Sequence, residues 1–221
     1  MKCLFWMSLI AAIPLCAQEP AALPLNRAPV EKTGNLPPDT MILSQKAAEA
    51  FTNRDWSTAR AAYQEMLKSD PANALAWANL GAVEQQTGHT REAIDAFTKS
   101  VQYNPQIAQS WSALGLLHGK EGDTYLAVSM FTRAIHEDPS DARARNYLAI
   151  AAKSLGWRDT AEMELIRALE LDPAYGLANF NLALMYLDQT PPAIELARRH
   201  YEKALTQGVE KDEIVERRLK E

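Results

Sequence analysis

With 221 residues, 47% of them hydrophobic, the chain is long enough to bury a substantial core. Its 28 acidic residues outnumber 23 basic ones, and a net charge of −5 excludes the broad basic face that neutralises nucleic-acid phosphates, so no nucleic-acid partner is expected. Both cysteines, Cys3 and Cys16, fall near the N-terminus, so a chain cut after Ala17 has no disulfide, thiol catalysis or cysteine-bound metal.

Lys2 precedes an apolar run from Cys3 to Ala17, and a polar, proline-containing stretch follows. That order predicts a signal peptide over residues 1–17, cut after Ala17, and export to a periplasmic or extracellular space. Fifteen helical residues reach about 22 Å, short of the ~30 Å hydrocarbon core, which makes a retained membrane anchor the weaker reading. Leu15 stands directly before Cys16, where a lipoprotein signal wants a small residue, so acylation is a minority reading too. Residues 18–39 carry Pro20, Pro24, Pro29, Pro37 and Pro38, a density that disfavours helix and sheet and predicts an extended tether.

Beyond the tether a period of 34 residues organises the chain. It carries Trp77 to Trp111, Leu80 to Leu114, Gly81 to Gly115, Gly88 to Gly122, Ala93 to Ala127, Phe97 to Phe131 and Pro105 to Pro139. A further step reaches Leu148, Ala149, Gly156, Ala161, Leu165 and Pro173, and a step back reaches Leu43, Ala47, Ala59, Tyr63 and Pro71. Trp77, Leu80, Gly81 and Glu84 are spaced as one helical stripe, so a first helix presents its bulky pair and its glycine together. Glycine costs about 1 kcal/mol in a helix interior, and close approach of a second helix is the compensating reason expected at Gly81, Gly115 and the equivalent Ala149. In that second helix Ala93, Ala127 and Ala161 offer small surfaces, and Phe97, Phe131 and Leu165 supply large ones four residues on.

Gly88, Gly122 and Gly156 are read as turns, Thr90 as a helix cap, and Trp56 and Trp157 as staples at turns. Asp70-Pro71, Asn104-Pro105, Asp138-Pro139 and Asp172-Pro173 end successive units. The units run over residues 40–73, 74–107, 108–141, 142–175 and 176–207. In the last, Thr190-Pro191-Pro192 accounts for a two-residue shift of Ala197, Tyr201 and Ala204, with Thr190 a candidate cap and Pro191 in the first helical turn. Residues 208–221 predict a polar capping helix.

This pattern resembles the tetratricopeptide repeat. The resemblance implies an all-α, right-handed superhelical solenoid of about five antiparallel helix hairpins whose role is to bind other proteins.

No catalytic set and no cofactor site is visible, so an enzyme is not expected. The four histidines are read as isolated, with no acidic or histidine neighbour at metal-binding spacing, and His118 as a core residue; no metal is expected. Repeating the 34-residue step assigns a concave face to the first helices. Its candidate partner-binding residues are Asn79, Gln85, Gln109, Ser112, Leu116, Lys120, Arg143, Asn146, Tyr147, Ile150, Lys153, Phe180, Asn181 and Leu184. Amides there can pair with an extended peptide's main chain, the cations can attract acidic groups, and Tyr147, Ile150, Phe180 and Leu184 can receive apolar side chains. Of the clamp by which some relatives hold a terminal carboxylate, only Asn79 and Arg143 have counterparts. The expected role is therefore a scaffold holding an extended peptide in an exported assembly, with a small-molecule or glycan sensor in the same groove as the alternative.

Overall fold

The computed structural model describes residues 38–220, and every regular element among them is helical. Five hairpins pair α1 (Pro38–Thr52) with α2 (Trp56–Ser69), α3 (Ala74–Gln86) with α4 (Thr90–Tyr103), and α5 (Ala108–Glu121) with α6 (Thr124–Glu137). They continue with α7 (Ala142–Ser154) and α8 (Arg158–Leu171), then α9 (Gly176–Leu187) and α10 (Ile194–Thr206), before the short α11 (Glu213–Arg218). The predicted signal peptide lies outside the described residues. Helix α1 begins inside the stretch read as a tether, because a proline is tolerated in a first helical turn. No described helix is long and apolar enough to cross a membrane.

Each hairpin closes as its small residues require, and in the second and third units the closing group is an aromatic ring. A Cβ built on Gly115 would stand 2.7 Å from Phe131, and one built on Gly81 would stand 2.9 Å from Phe97. Both rings are buried. In the fourth unit the pair is Ala149 with Leu165: a smaller knob leaves room for the methyl group. Ala127 meets Gly119, whose built Cβ would lie 3.6 Å from it, so Gly119 serves a close approach that the period alone did not single out.

The turns inside hairpins are left-handed at Gly88, Gly122 and Gly156, with φ of 79°, 93° and 80°. One period before Gly88 stands Arg54, at φ 58°, the only positive-φ residue other than glycine among the described residues. A side chain costs roughly 1–2 kcal/mol in that region, partly offset by the conformational freedom that glycine forfeits on folding. Arg54→Gly is expected to stabilise the protein by about 0.5–1 kcal/mol, read as a higher midpoint in urea. Thr90 is not a cap. His89 holds the N-cap position, because its backbone N–H donates to Glu84 O and turns the chain one residue earlier.

Between units, Asp70, Asn104, Asp138 and Asp172 each accept from the backbone N–H two residues on, at 3.0–3.2 Å, the local bond that makes Asx-Pro a turn. The recurring tryptophans then close the same turns. Trp77 Nε1 donates to Pro71 O at 2.8 Å and Trp111 Nε1 to Pro105 O at 2.7 Å, while Lys99 and Arg133 lie over the two indoles. One unit on, the indole is replaced by Arg145, which donates to Pro139 O at 3.2 Å. Its own charge would repel Arg167, the counterpart of Arg133, and Glu164 bridges the two at 2.7 and 2.9 Å. A cation–aromatic stack has been exchanged for an Arg–Glu–Arg arrangement centred on the buried Glu164.

The final hairpin carries the predicted two-residue shift, with Ala197, Tyr201 and Ala204 all buried. Its loop is longer than expected: α10 starts at Ile194 with Ala193 as N-cap, so neither Thr190 nor Pro191 belongs to it. Ala193 N–H instead donates to Tyr186 O and anchors the loop on α9. Helix α11 stands where a sixth first helix would begin, with Val215 and Leu219 buried against the preceding hairpin. Arg218 donates to Leu187 O and Arg198 to Leu219 O, both at 2.7 Å. Asp188 receives Arg218 at 3.0 Å and Lys153 at 2.8 Å. Burial raises the Asp188 carboxyl, but the two cations together outweigh it and hold the group below the ordinary aspartate value.

Candidate functional site: the face of the first helices

The odd-numbered helices touch across units, α5 with α7 and α7 with α9, which places them on the inner, tighter-curving side of the stack. The residues predicted to line this groove divide sharply. Lys120 and Arg143 are exposed, and neither pairs with a carboxylate among the described residues. Asn79, Gln85, Gln109, Leu116, Ile150, Phe180 and Leu184 are half-buried. Leu116 packs beside Phe131 and Leu148, and Phe180 lies against Tyr201 with ring centroids 6.2 Å apart. Tyr147 stacks on Phe131, the ring that fills the Gly115 gap, at 5.6 Å between centroids. The groove wall is therefore braced by the hairpin core.

Three predicted contact residues, Asn146, Asn181 and Lys153, are engaged internally. Asn146 is only 1% exposed, and its Oδ1 accepts from Asn181 Nδ2 at 2.8 Å, tying α7 to α9. Lys153 is taken by Asp188, so it is not a free cation for an acidic ligand. Tyr175, absent from the sequence-based set, bonds to Asn146; burial pushes its hydroxyl above the ordinary tyrosine range, with Tyr147 adding to the effect. Its signal in the sequence was faint: a large aromatic at the place where Asn73 and Asp141 cap their helices.

Ser112 occupies the same place as Asn146, one unit earlier. Its Oγ is buried and has no hydrogen-bond partner, whereas Asn146 is satisfied by its neighbour from the next unit. An orphaned hydroxyl in a groove costs free energy until something supplies a partner. Gln109 lies one helical turn before Ser112 on α5. An open concavity of about 370 Å³ lies elsewhere, along α8 between Asp159 and Glu170.

A second set of polar groups sits at the hairpin turns. Arg60 donates to both carboxylate oxygens of Glu84 at 2.7 Å, to Thr87 Oγ1 at 2.9 Å and to His89 Nδ1 at 2.9 Å. At the corresponding places in the last two units, Tyr186 donates to Glu162 at 2.8 Å. The third unit puts His118 where Glu84 stands, and this corrects the reading of its histidine as isolated: Glu121 follows at three residues and Asp123 at five, and the three side chains come together. The three-residue spacing from His118 to Glu121 carries that signal in the sequence.

The described fold is thus a solenoid of antiparallel helical hairpins with a braced inner face. The chain is a tetratricopeptide-repeat protein: the family model described as Tetratricopeptide repeat matches residues 45–106 and 112–156. Among solved structures, it resembles PilW, described as a widely conserved type IV pilus biogenesis factor, with 24% identity and a TM-score of 0.69 over 80% of this chain and 81% of that one. YrrB, described as a TPR protein with an unusual peptide-binding site, matches at 21% identity and TM-score 0.65 over 83% and 98% of the two chains. MamA from Desulfovibrio magneticus RS-1 matches at 16% and 0.69 over 77% and 96%. At these identities the likenesses show the fold. No curated protein matches the chain.

Proposed function

We propose that this protein is an exported, non-enzymatic scaffold that holds an extended, acidic peptide segment of a partner protein in the groove of α5, α7 and α9. The observation that carries the reading is that the first helices present two exposed cations without a carboxylate partner, Lys120 and Arg143, together with the unpartnered Ser112 hydroxyl and half-buried apolar wall residues. Preformed rods present these groups without ordering them on binding, which lowers the entropic cost of association. The tetratricopeptide-repeat fold is consistent with protein partners, and the apolar N-terminal stretch supports export.

The test is affinity capture from a native envelope fraction, followed by anisotropy titration with labelled peptides of the captured protein. Arg143→Glu is expected to weaken binding at least about tenfold, since a like charge replaces an attractive one. Binding unchanged by both Arg143→Glu and Ile150→Glu would place the partner on another surface. This protein itself, recovered from the same fraction, is expected to have the intact mass of a chain beginning at Gln18; a mass that includes Met1 would sink the export part.

A further inference from the structure

We propose that His118, Glu121 and Asp123 form a binding site for one divalent transition-metal ion, of which zinc is the natural probe. One ligand atom from each lies within 4.8 Å of the others. Among the described residues no lysine or arginine answers the two carboxylates, and His118 Nδ1, 3.9 Å from Glu121 Oε2, is buried without a hydrogen-bond partner.

The neighbouring unit shows what this corner ordinarily contains. There Glu84, Thr87 and His89 stand at the equivalent or adjoining places, and the Arg60 guanidinium sits among them and binds all three. One period after Arg60 the chain has Ile94. At the equivalent three positions the third unit carries a histidine and two carboxylates, and it lacks the side chain that supplies the cation.

The backbone fixes the arrangement. Asp123 N–H donates to His118 O at 2.9 Å across the left-handed Gly122, which holds the aspartate over the histidine's turn. Asp123 occupies the N-cap position of α6, yet its carboxylate makes no capping bond, unlike Asp55, Asp141 and Asp212. Glu121 ends α5, where the helix dipole favours positive charge. Histidine nitrogen with two carboxylates suits zinc better than calcium or magnesium, and three protein ligands leave a fourth position for water. Bonds of about 2.0–2.2 Å require the three ligand atoms to draw closer by roughly an ångström. The exposed side chains of Glu121 and Asp123 have the freedom to do so.

The experiment titrates zinc chloride into the full-length protein without an affinity tag, by calorimetry, and repeats it with cobalt chloride read by visible absorption. Wild type is expected to bind one equivalent, with a cobalt spectrum of low-symmetry nitrogen–oxygen ligation. His118→Gln and Asp123→Asn are each expected to weaken binding at least about tenfold while circular dichroism stays unchanged, and His89→Gln to leave it as it was. Should His118→Gln misfold, Asp123→Asn and Glu121→Gln, both at exposed positions, still decide the matter. No heat with millimolar zinc, or full affinity in Asp123→Asn and Glu121→Gln, overturns the site.

Discussion

Gly115→Leu is expected to destabilise the protein by roughly 1–3 kcal/mol, and Gly115→Ala to destabilise it as well despite alanine's advantage of about 1 kcal/mol in a helix. The reason is geometric. Three ring atoms of Phe131 lie 2.7–2.9 Å from the position a Cβ would take, and the ring is buried in a cluster with Leu116, Leu148 and the stacked Tyr147. The compensating change is written in the next unit, where Ala149 faces Leu165. Phe131→Leu alone creates a cavity, but in the Gly115→Ala background it is expected to restore much of the loss. The double variant should therefore be more stable than the sum of the singles predicts, read as a positive coupling in urea denaturation. An unchanged midpoint for Gly115→Leu would contradict the packing described.

Arg145→Ala is expected to cost about 3 kcal/mol, the low end of the range for stripping one partner from a buried ion pair, because half-exposed Arg167 still reaches Glu164. The Glu164 side chain is 7% exposed, so water cannot replace the lost guanidinium. The same substitution also frees Pro139 O. Replacing the pair together, Arg145→Trp with Glu164→Met, recreates the third unit's combination of Trp111, Met130 and Arg133. That double variant is expected to regain most of the stability, as apolar replacement of a buried ion pair commonly does. Equal losses in the single and double variants, measured by calorimetric Tm, would show that the two arrangements are not interchangeable.

Both predictions rest on relations that a one-dimensional period exposes in part. Gly81, Gly115 and Ala149 paired with Phe97, Phe131 and Leu165 were legible because each pair lies within one unit and repeats at a fixed offset. The Asn146–Asn181 bond was not, since it joins two different columns of the groove and appears only when neighbouring first helices are set side by side. Lys153 read as a free cation for a similar reason: its partner Asp188 lies in the next unit, and Arg218 in the helix beyond. At His118 the obstacle was different. The spacing to Glu121 was present in the sequence, but the telling fact is the absence of an arginine at Ile94, and that requires knowing what Arg60 does.

The turns between units differ in where their closing donor originates. Pro71, Pro105 and Pro139 are each held by a residue on the first turn of the rod that follows, so such a junction is complete as soon as that turn has wound. Pro173 is held at 2.8 Å by Gln207, beyond the far end of the last hairpin, with Asn179 donating to the same amide. Whole 34-residue blocks upstream can thus be duplicated or excised with their junctions intact, making the span of the array adjustable over evolution. The terminal block has no such freedom: its entrance is sealed only by its exit, and it must be inherited as a single piece.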